Sequence, residues 1–384
     1  MSISIDTVRS AYEAELDHDR PVTDPDQVPT TYKSMTPEWL TKVICTKVPG
    51  AAVSEFNFDS RDDGSSNRRR IFLTYNAAGQ ASGLPPTVFC KAAESLANRI
   101  VLAVSATSLA EANFYNKVRD RVSFEAPRAW YARFDPKSFA YLIMMDDMAG
   151  KVHFPDERTT LTRIQAEALV TTLAQLHSQF YESPELGTEA LPFKRWPQWW
   201  ADMMTGAPDF PQFCDRGFIA AESVMPARLF KRRSEIWPAT ERSVERHRHL
   251  PQSLIHSDVH LKNWYLTPDD RMGLADWQLV TIGHWSRDFV FATTTALTIE
   301  QRRAWQEDLL RLYLDKMVEL GTPRTPFDDA LLNIRQQLFS ALAFWTITLR
   351  PTADMPAMQP ERTTYEFLRR FGAAIDELDA LDAF

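Results

Sequence analysis

The chain has 384 residues, 44% of them apolar, with a formal net charge of −8 and a pI near 5.6. That length and apolar fraction allow a large core in two domains or one two-lobed enzyme. The acidic balance argues against general affinity for nucleic acid or anionic membranes, because either needs a basic face; the local run Arg68, Arg69, Arg70 does not reverse it.

The N-terminal stretch MSISIDTVRSAYEAELDHDR has no apolar core of signal-peptide length, and no apolar run approaches the roughly 18 residues that span a bilayer. Cys45, Cys90 and Cys214 lie far apart with no CxxC pair, which speaks against a disulfide framework or a cysteine zinc site and suits a reducing compartment. A cytoplasmic protein is expected.

After the Pro-containing lead-in DRPVTDPDQVPTTY, the segment TPEWLTKVICTKV has a Thr-Pro start and helical spacing. Three strands follow, VSEFNFDS, RRRIFLTY and TVFCKAA, the first two joined by a polar turn and the last two by a loop. Residues 101–119 have helical periodicity, and PRAWYARFD and FAYLIMMDD read as two more strands. From residue 159 helices dominate: RIQAEALVTTLAQLHSQFYE, SVMPARLFKRRSEIW, RRAWQEDLLRLYLDKMVEL, DDALLNIRQQLFSALAFWTI and TTYEFLRRFGAAIDEL. Two short strand-like pieces, NWYLT and GLADW, interrupt this helical half. The expectation is an α+β chain, a small antiparallel-sheet lobe followed by a large helical lobe, with the joint near MDDMAGK at 145–151.

The stretch LIHSDVHLKNWYLTPDDRMGLADWQ contains HxDxxxxN (His256, Asp258, Asn263), and Asp276 follows thirteen residues after Asn263. Phosphoryl transfer needs this set: an aspartate to orient the acceptor hydroxyl and take its proton, and an amide oxygen with a second carboxylate to hold Mg²⁺ against a triphosphate. A turn carrying Asp258 and Asn263, followed by a hairpin returning Asp276, can converge all three; the competing reading is a polar turn capping backbone groups. ATP binding further requires a strand lysine, a carboxylate to hold it and a phosphate-covering turn. Lys91 closes TVFCK, Glu111 follows twenty residues later, and DDGSSN (Asp62–Asn67, with Gly64, Ser65 and Ser66 at its tip) could bring backbone N–H groups to phosphates. A solvent-reaching lysine, an ordinary helical glutamate and a plain hairpin turn are the respective alternatives. No GxxxxGK[ST] is present, which argues against a Walker-type NTPase.

With HSDVHLKNW and DWQ in view, the chain resembles the aminoglycoside phosphotransferase and choline kinase-like superfamily, closest in look to its ecdysteroid kinase-like (CHK kinase-like) members, over about residue 55 to at least 300. The resemblance implies a two-lobed protein kinase-like fold: residues 1–148 as an N-terminal extension and nucleotide-binding lobe ending in a hinge, and 149–384 as the helical lobe with catalytic loop, metal site and acceptor pocket. It implies ATP and Mg as cofactors, Asp258 as catalytic base, Asn263 and Asp276 as Mg²⁺ ligands, and Lys91, paired with Glu111, on the phosphates. It places Gly64, Ser65, Ser66 and Asn67 in the nucleotide loop and Met145, Asp146 and Met148 in the hinge, whose backbone binds adenine. His256 supports the loop, His177 is buried and structural, and Asp288 caps a helix or anchors the loop.

His260 stands where protein kinases of the HRDLKxxN type have lysine, and DWQ replaces DFG, so a small-molecule hydroxyl is the better acceptor. KRWPQWW (Trp196, Trp199, Trp200) and Trp345 could wall a pocket for an apolar alcohol or a quaternary amine, or pack in the core. A nucleotide-binding pseudokinase and a metal-dependent hydrolase are the competing functions. The sequence leaves the acceptor and the oligomeric state open.

Overall fold

Thr36 and Pro37 open a helix over Pro37–Ile44 for the expected reason: the Thr36 hydroxyl accepts from the Trp39 N–H, and the proline sits where no amide donor is required. Its apolar face, Trp39, Leu40, Val43 and Ile44, is buried in one cluster with Val53, Ile71, Val88, Cys90, Leu142 and Met144. The computed structural model describes residues 3–351 and 358–384. Its contacts divide the chain into two compact units: Met1–Asp120 with Pro127–Gly150, and Arg121–Ala126 with Lys151–Phe384.

The first unit is built on a sheet of β1 (Val53–Phe58), β2 (Asp62–Asp63), β3 (Asn67–Tyr75), β4 (Thr87–Ala92), β5 (Ala129–Phe134) and β6 (Tyr141–Asp146), in the order β1-β3-β4-β6-β5 with β2 on β3. Every pairing is antiparallel. The inner strand β6 is buried along almost its whole length, which is why it reads as a continuous apolar run, whereas the far half of β3 alternates. The Pro37–Ile44 helix packs on β1 and β5, and the helix Thr107–Asn113 on β5 and β6.

The single helix expected over 101–119 is three pieces. Leu96–Val104 starts under a Ser95 cap, Ala106 turns left-handed at φ 58°, Thr107–Asn113 follows, and Phe114–Val118 is a π-type turn. The Ser105 hydroxyl bonds to the Val101 carbonyl at 2.6 Å, so a side chain competes for the backbone group that would have carried the helix on. A helix at Ile5–Ala14 was not anticipated. It is capped by Ser4 and packs Val8 against Ala103 and Phe139.

In the second unit, Arg163–Gln179 and Ile299–Glu319 both start in capping boxes, Thr162 with Gln165 and Thr298 with Gln301, and lie against one another. The run expected as one helix over 328–347 is two, Phe327–Gln336 and Leu338–Leu349. Gln337 sits at the break with its amide spent on the core: Nε2 donates to the Ser243 carbonyl at 3.0 Å and Oε1 accepts from His247 Nε2 at 2.8 Å. Phe210–Ala220 packs closely on Leu338–Leu349 because Gly217 leaves room; a Cβ there would lie 1.9 Å from the Thr346 carbonyl oxygen. The helix Trp196–Gly206 buries Trp196, Trp199 and Trp200 in a core with Phe210, Cys214, Val244, Ala343 and Ile347. These indoles take the core-packing alternative. Among the described residues, no helix is long and apolar enough to cross a membrane.

His247 is neutral in this core. Its Nδ1 accepts from the His284 N–H at 2.9 Å, so Nε2 carries the proton given to Gln337. Burial pulls the His247 pKa down to about 3 and that of His284 well below its usual value. Both groups take up a proton on unfolding wherever the pH lies below about 6.5, the unfolded value. Stability from them is therefore complete above about pH 6.5 and declines as the pH falls, by about 1.4 kcal/mol per unit for each histidine. A thermal melt at pH 5 is expected well below that at pH 7.5; equal melting temperatures would contradict the neutral assignment.

Candidate active site

In the first unit, Lys91 lies on β4 and Glu111 in the helix Thr107–Asn113, and they meet in the interior. Lys91 Nζ donates to Glu111 Oε1 at 2.8 Å and Oε2 at 3.0 Å, with 7% and 1% of the two side chains exposed. A buried ammonium is tolerated because its charge is matched in this way. The Tyr141 hydroxyl, at the start of β6, donates to Glu111 Oε2. Sequence reasoning missed Tyr141. The antiparallel register that sets Lys91 opposite Ile143 and Ala92 opposite Leu142 brings it to the carboxylate, and that pairing is not written in the local pattern of FAYLIMMDD.

The predicted nucleotide loop is the tip of a short hairpin, with Asp63 opposite Asn67 and the Gly64 N–H bonded to the Ser66 carbonyl at 3.0 Å. Asn98 pins it by donating to the carbonyls of Gly64 and Ser65 at 3.0 and 2.9 Å. Asn67 ties its base, donating to Asp63 and accepting from the Glu94 N–H. Of the predicted hinge residues, Met145 and Asp146 lie within β6, and the Asp146 N–H is spent on the Arg128 carbonyl at 2.9 Å. Met148 follows the strand, beside Asp147, whose carboxylate pairs with Arg70.

In the second unit, β7 (Ser253–Ile255) pairs with β10 (Thr281–Gly283), and β8 (Trp264–Leu266) forms a hairpin with β9 (Met272–Leu274). The loop between β7 and β8 carries Asp258 and Asn263. Gly273 keeps the hairpin tight under the Tyr265 ring; a Cβ there would come within 2.2 Å of Tyr265 Cζ. Just past the hairpin the Ala275 N–H donates to the Asn263 carbonyl at 2.8 Å, which delivers the next residue, Asp276, to the loop. Asp276 takes the left-handed conformation, φ 62°.

Asn263 Nδ2 donates to the Asp258 carbonyl at 2.7 Å and to Asp258 Oδ2 at 3.2 Å. With its amide nitrogen committed there, the Asn263 carboxamide oxygen is the group left for a cation. His256 ties the loop to the end of the hairpin: its Nδ1 accepts from the Asp258 N–H at 3.2 Å and its Nε2 donates to the Ala275 carbonyl at 2.9 Å. Both ring nitrogens are used, so the ring is a neutral strut, and burial lowers its pKa. His260 Nε2 lies 3.8 Å from Asp258 Oδ2, and its ring centroid is 5.4 Å from that of Trp345.

Asp288, in the first turn of the helix Ser286–Ala296, accepts from the His256 N–H at 2.6 Å and the Ser257 N–H at 2.9 Å. Burial alone would push its pKa up, but the hydrogen bond from His177 and the positive charge of Arg287 outweigh it and hold the carboxyl below its usual value. His177 is fully buried between Asp288 and the Tyr313 hydroxyl. Asp288 thus anchors the loop, and His177 orients Asp288.

Among the described residues no group of three or more His, Cys, Asp or Glu side chains is placed to hold a metal. The donor pair here, one carboxamide oxygen and one carboxylate, is of the kind Mg²⁺ uses, since that ion keeps waters and substrate phosphates in most of its coordination positions.

The model of the phosphotransferase enzyme family matches residues 86–325, well over half of the chain and all of the loop and hairpin just described. The chain belongs to that family. It is a phosphotransferase, and its antiparallel-sheet unit followed by a helical unit is the expected α+β order. Similar solved structures include a Plasmodium vivax ethanolamine kinase (10% identity, 83% of this chain and 81% of that one, TM-score 0.46) and the choline kinase LicA of Streptococcus pneumoniae (12%, 88% and 97%, 0.47). A spectinomycin phosphotransferase in complex with ADP and spectinomycin also matches (14%, 91% and 98%, 0.47). No curated protein matches the chain.

Proposed function

We propose that this phosphotransferase is an ATP- and Mg²⁺-dependent kinase that phosphorylates a hydroxyl group of a small molecule. The observation that carries the reading is the convergence in the second unit: the Ala275–Asn263 backbone bond and the His256 strut hold Asp258, Asn263 and Asp276 at one place, as the chemistry of phosphoryl transfer requires. Asp258 orients the acceptor hydroxyl and takes its proton. Asn263 and Asp276 hold Mg²⁺, which when bound neutralises charge on the triphosphate. Lys91, kept in place by Glu111 and Tyr141, is the phosphate-binding lysine, the turn Gly64–Asn67 is the nucleotide loop, and the backbone around Met145–Met148 receives adenine. Residues 1–148 serve the nucleotide, and 149–384 serve catalysis and the acceptor. His260 at the position where protein kinases carry lysine supports a small-molecule acceptor.

The test is a screen for Mg²⁺-dependent ATP consumption and phosphorylated product against sterols, choline-like amines, aminoglycosides, macrolides and sugars. Consumption that depends on one acceptor class and disappears in Asp258→Asn is the expected result. ATP binding without transfer to any acceptor would favour a nucleotide-binding scaffold instead.

A further inference from the structure

The residue before the proposed base is strained. Ser257 is fully buried and has φ +68°, a left-handed conformation unfavourable for any residue with a Cβ other than Asn or Asp. Such a conformation persists only where the surroundings over-determine it. Every polar atom of Ser257 is held. Its N–H goes to Asp288 Oδ1 at 2.9 Å, its hydroxyl meets the Thr281 hydroxyl at 2.7 Å, and its carbonyl accepts from Arg287 Nη1.

That carbonyl belongs to the peptide group leading into Asp258. The other end of the same group, the Asp258 N–H, is held by His256 Nδ1 at 3.2 Å. The peptide plane is therefore clamped at its oxygen by Arg287 and at its nitrogen by His256, and the plane sets where the Asp258 side chain leaves the backbone.

Arg287 is a costly residue to keep for one bond. It is 0% exposed, and its Nε and Nη2 have no hydrogen-bond partner among the described residues. Its Cζ lies 3.9 Å over the Trp196 ring, and its Nη1 is 3.8 Å from Asp288 Oδ1. Burial draws its pKa down to about 10. The Asp288 carboxylate balances its charge, but two buried donors without partners remain a cost that the single bond to the Ser257 carbonyl does not remove.

We propose that Arg287 is a positioning residue of the catalytic loop: its guanidinium, stacked on Trp196, holds the Ser257 carbonyl so that the left-handed Ser257 presents Asp258 to the acceptor hydroxyl. The inference rests on Asp258 being the base. Displacing a reacting group by about 1 Å costs on the order of 100-fold in rate. In the full-length chain, Arg287→Met should lower kcat per folded molecule by about 100-fold, with KM for ATP within about twofold of wild type; the melting temperature should fall as well, because buried Asp288 loses the guanidinium 3.8 Å away. Arg287→Lys should be similarly slow, because an ammonium cannot both stack flat on the indole and reach the carbonyl. Arg287→Ala should regain about tenfold in kcat on addition of guanidinium or methylguanidinium ion, saturably, whereas Asp258→Asn should gain nothing. If Arg287→Met lowers the melting temperature while kcat per folded molecule stays at the wild-type value, the proposal is overturned and Arg287 is structural only. Absence of guanidinium rescue in a folded, slow Arg287→Ala overturns it as well. If Asp258→Asn itself turns over normally, the reading of the loop fails first and this proposal fails with it.

Discussion

Asp258→Asn is expected to reduce turnover by about 10²- to 10⁴-fold, the range that a positioned general base contributes, while leaving ATP affinity nearly unchanged. The exchange keeps the shape of the side chain, and the contacts that hold this part of the loop use the Asp258 backbone: its carbonyl accepts from Asn263 at 2.7 Å and its N–H is held by His256 at 3.2 Å. The loop should therefore stay in place. What is lost is the basic oxygen. His260 cannot replace it, since burial lowers its pKa, and the carboxylate 3.8 Å away whose charge opposes that effect is gone in the variant. Steady-state kinetics with an identified acceptor, set beside ATP binding measured by calorimetry, check this. Wild-type turnover in Asp258→Asn would remove the residue from its role.

Lys91→Met is the second large effect, and it acts on two quantities. Glu111 is 1% exposed, so removing the ammonium at 2.8 Å leaves a buried carboxylate without its cation, a loss of about 3–5 kcal/mol in comparable buried pairs. Separately, loss of a donor to the transferring phosphates should lower kcat by about 10²- to 10³-fold per folded molecule. The double variant Lys91→Met with Glu111→Leu separates the two, since an apolar pair can replace a buried ion pair at little cost. Its melting temperature should return towards that of wild type while its activity stays low. Recovery of both together would show that the pair serves only stability.

Much of this was legible in the sequence because it is local. The Thr36-Pro37 helix start, the apolar continuity of β6 and the HxDxxxxN spacing are each carried by residues within one or two turns of chain. What escaped depends on distant partners. Tyr141 reaches Glu111 only through the register of β6 on β4, and the break at Gln337 exists because Ser243 and His247 claim its amide. The helical period of residues 101–119 was real, yet Ala106 at φ 58° splits it where Ser105 turns back on the helix before it. The indoles of KRWPQWW could not be assigned to pocket or core from spacing, since both uses put an aromatic residue on the same helical face.

Asn263 and Asp276 are proposed to hold one Mg²⁺ ion beside Asp258, within the second unit. A crystal structure with an unreactive ATP analogue and Mg²⁺ tests it most directly. The expected result is an ion bound by the Asn263 carboxamide oxygen and the Asp276 carboxylate. A metal bound elsewhere, with the Asn263 and Asp276 side chains touching no ion, would contradict it.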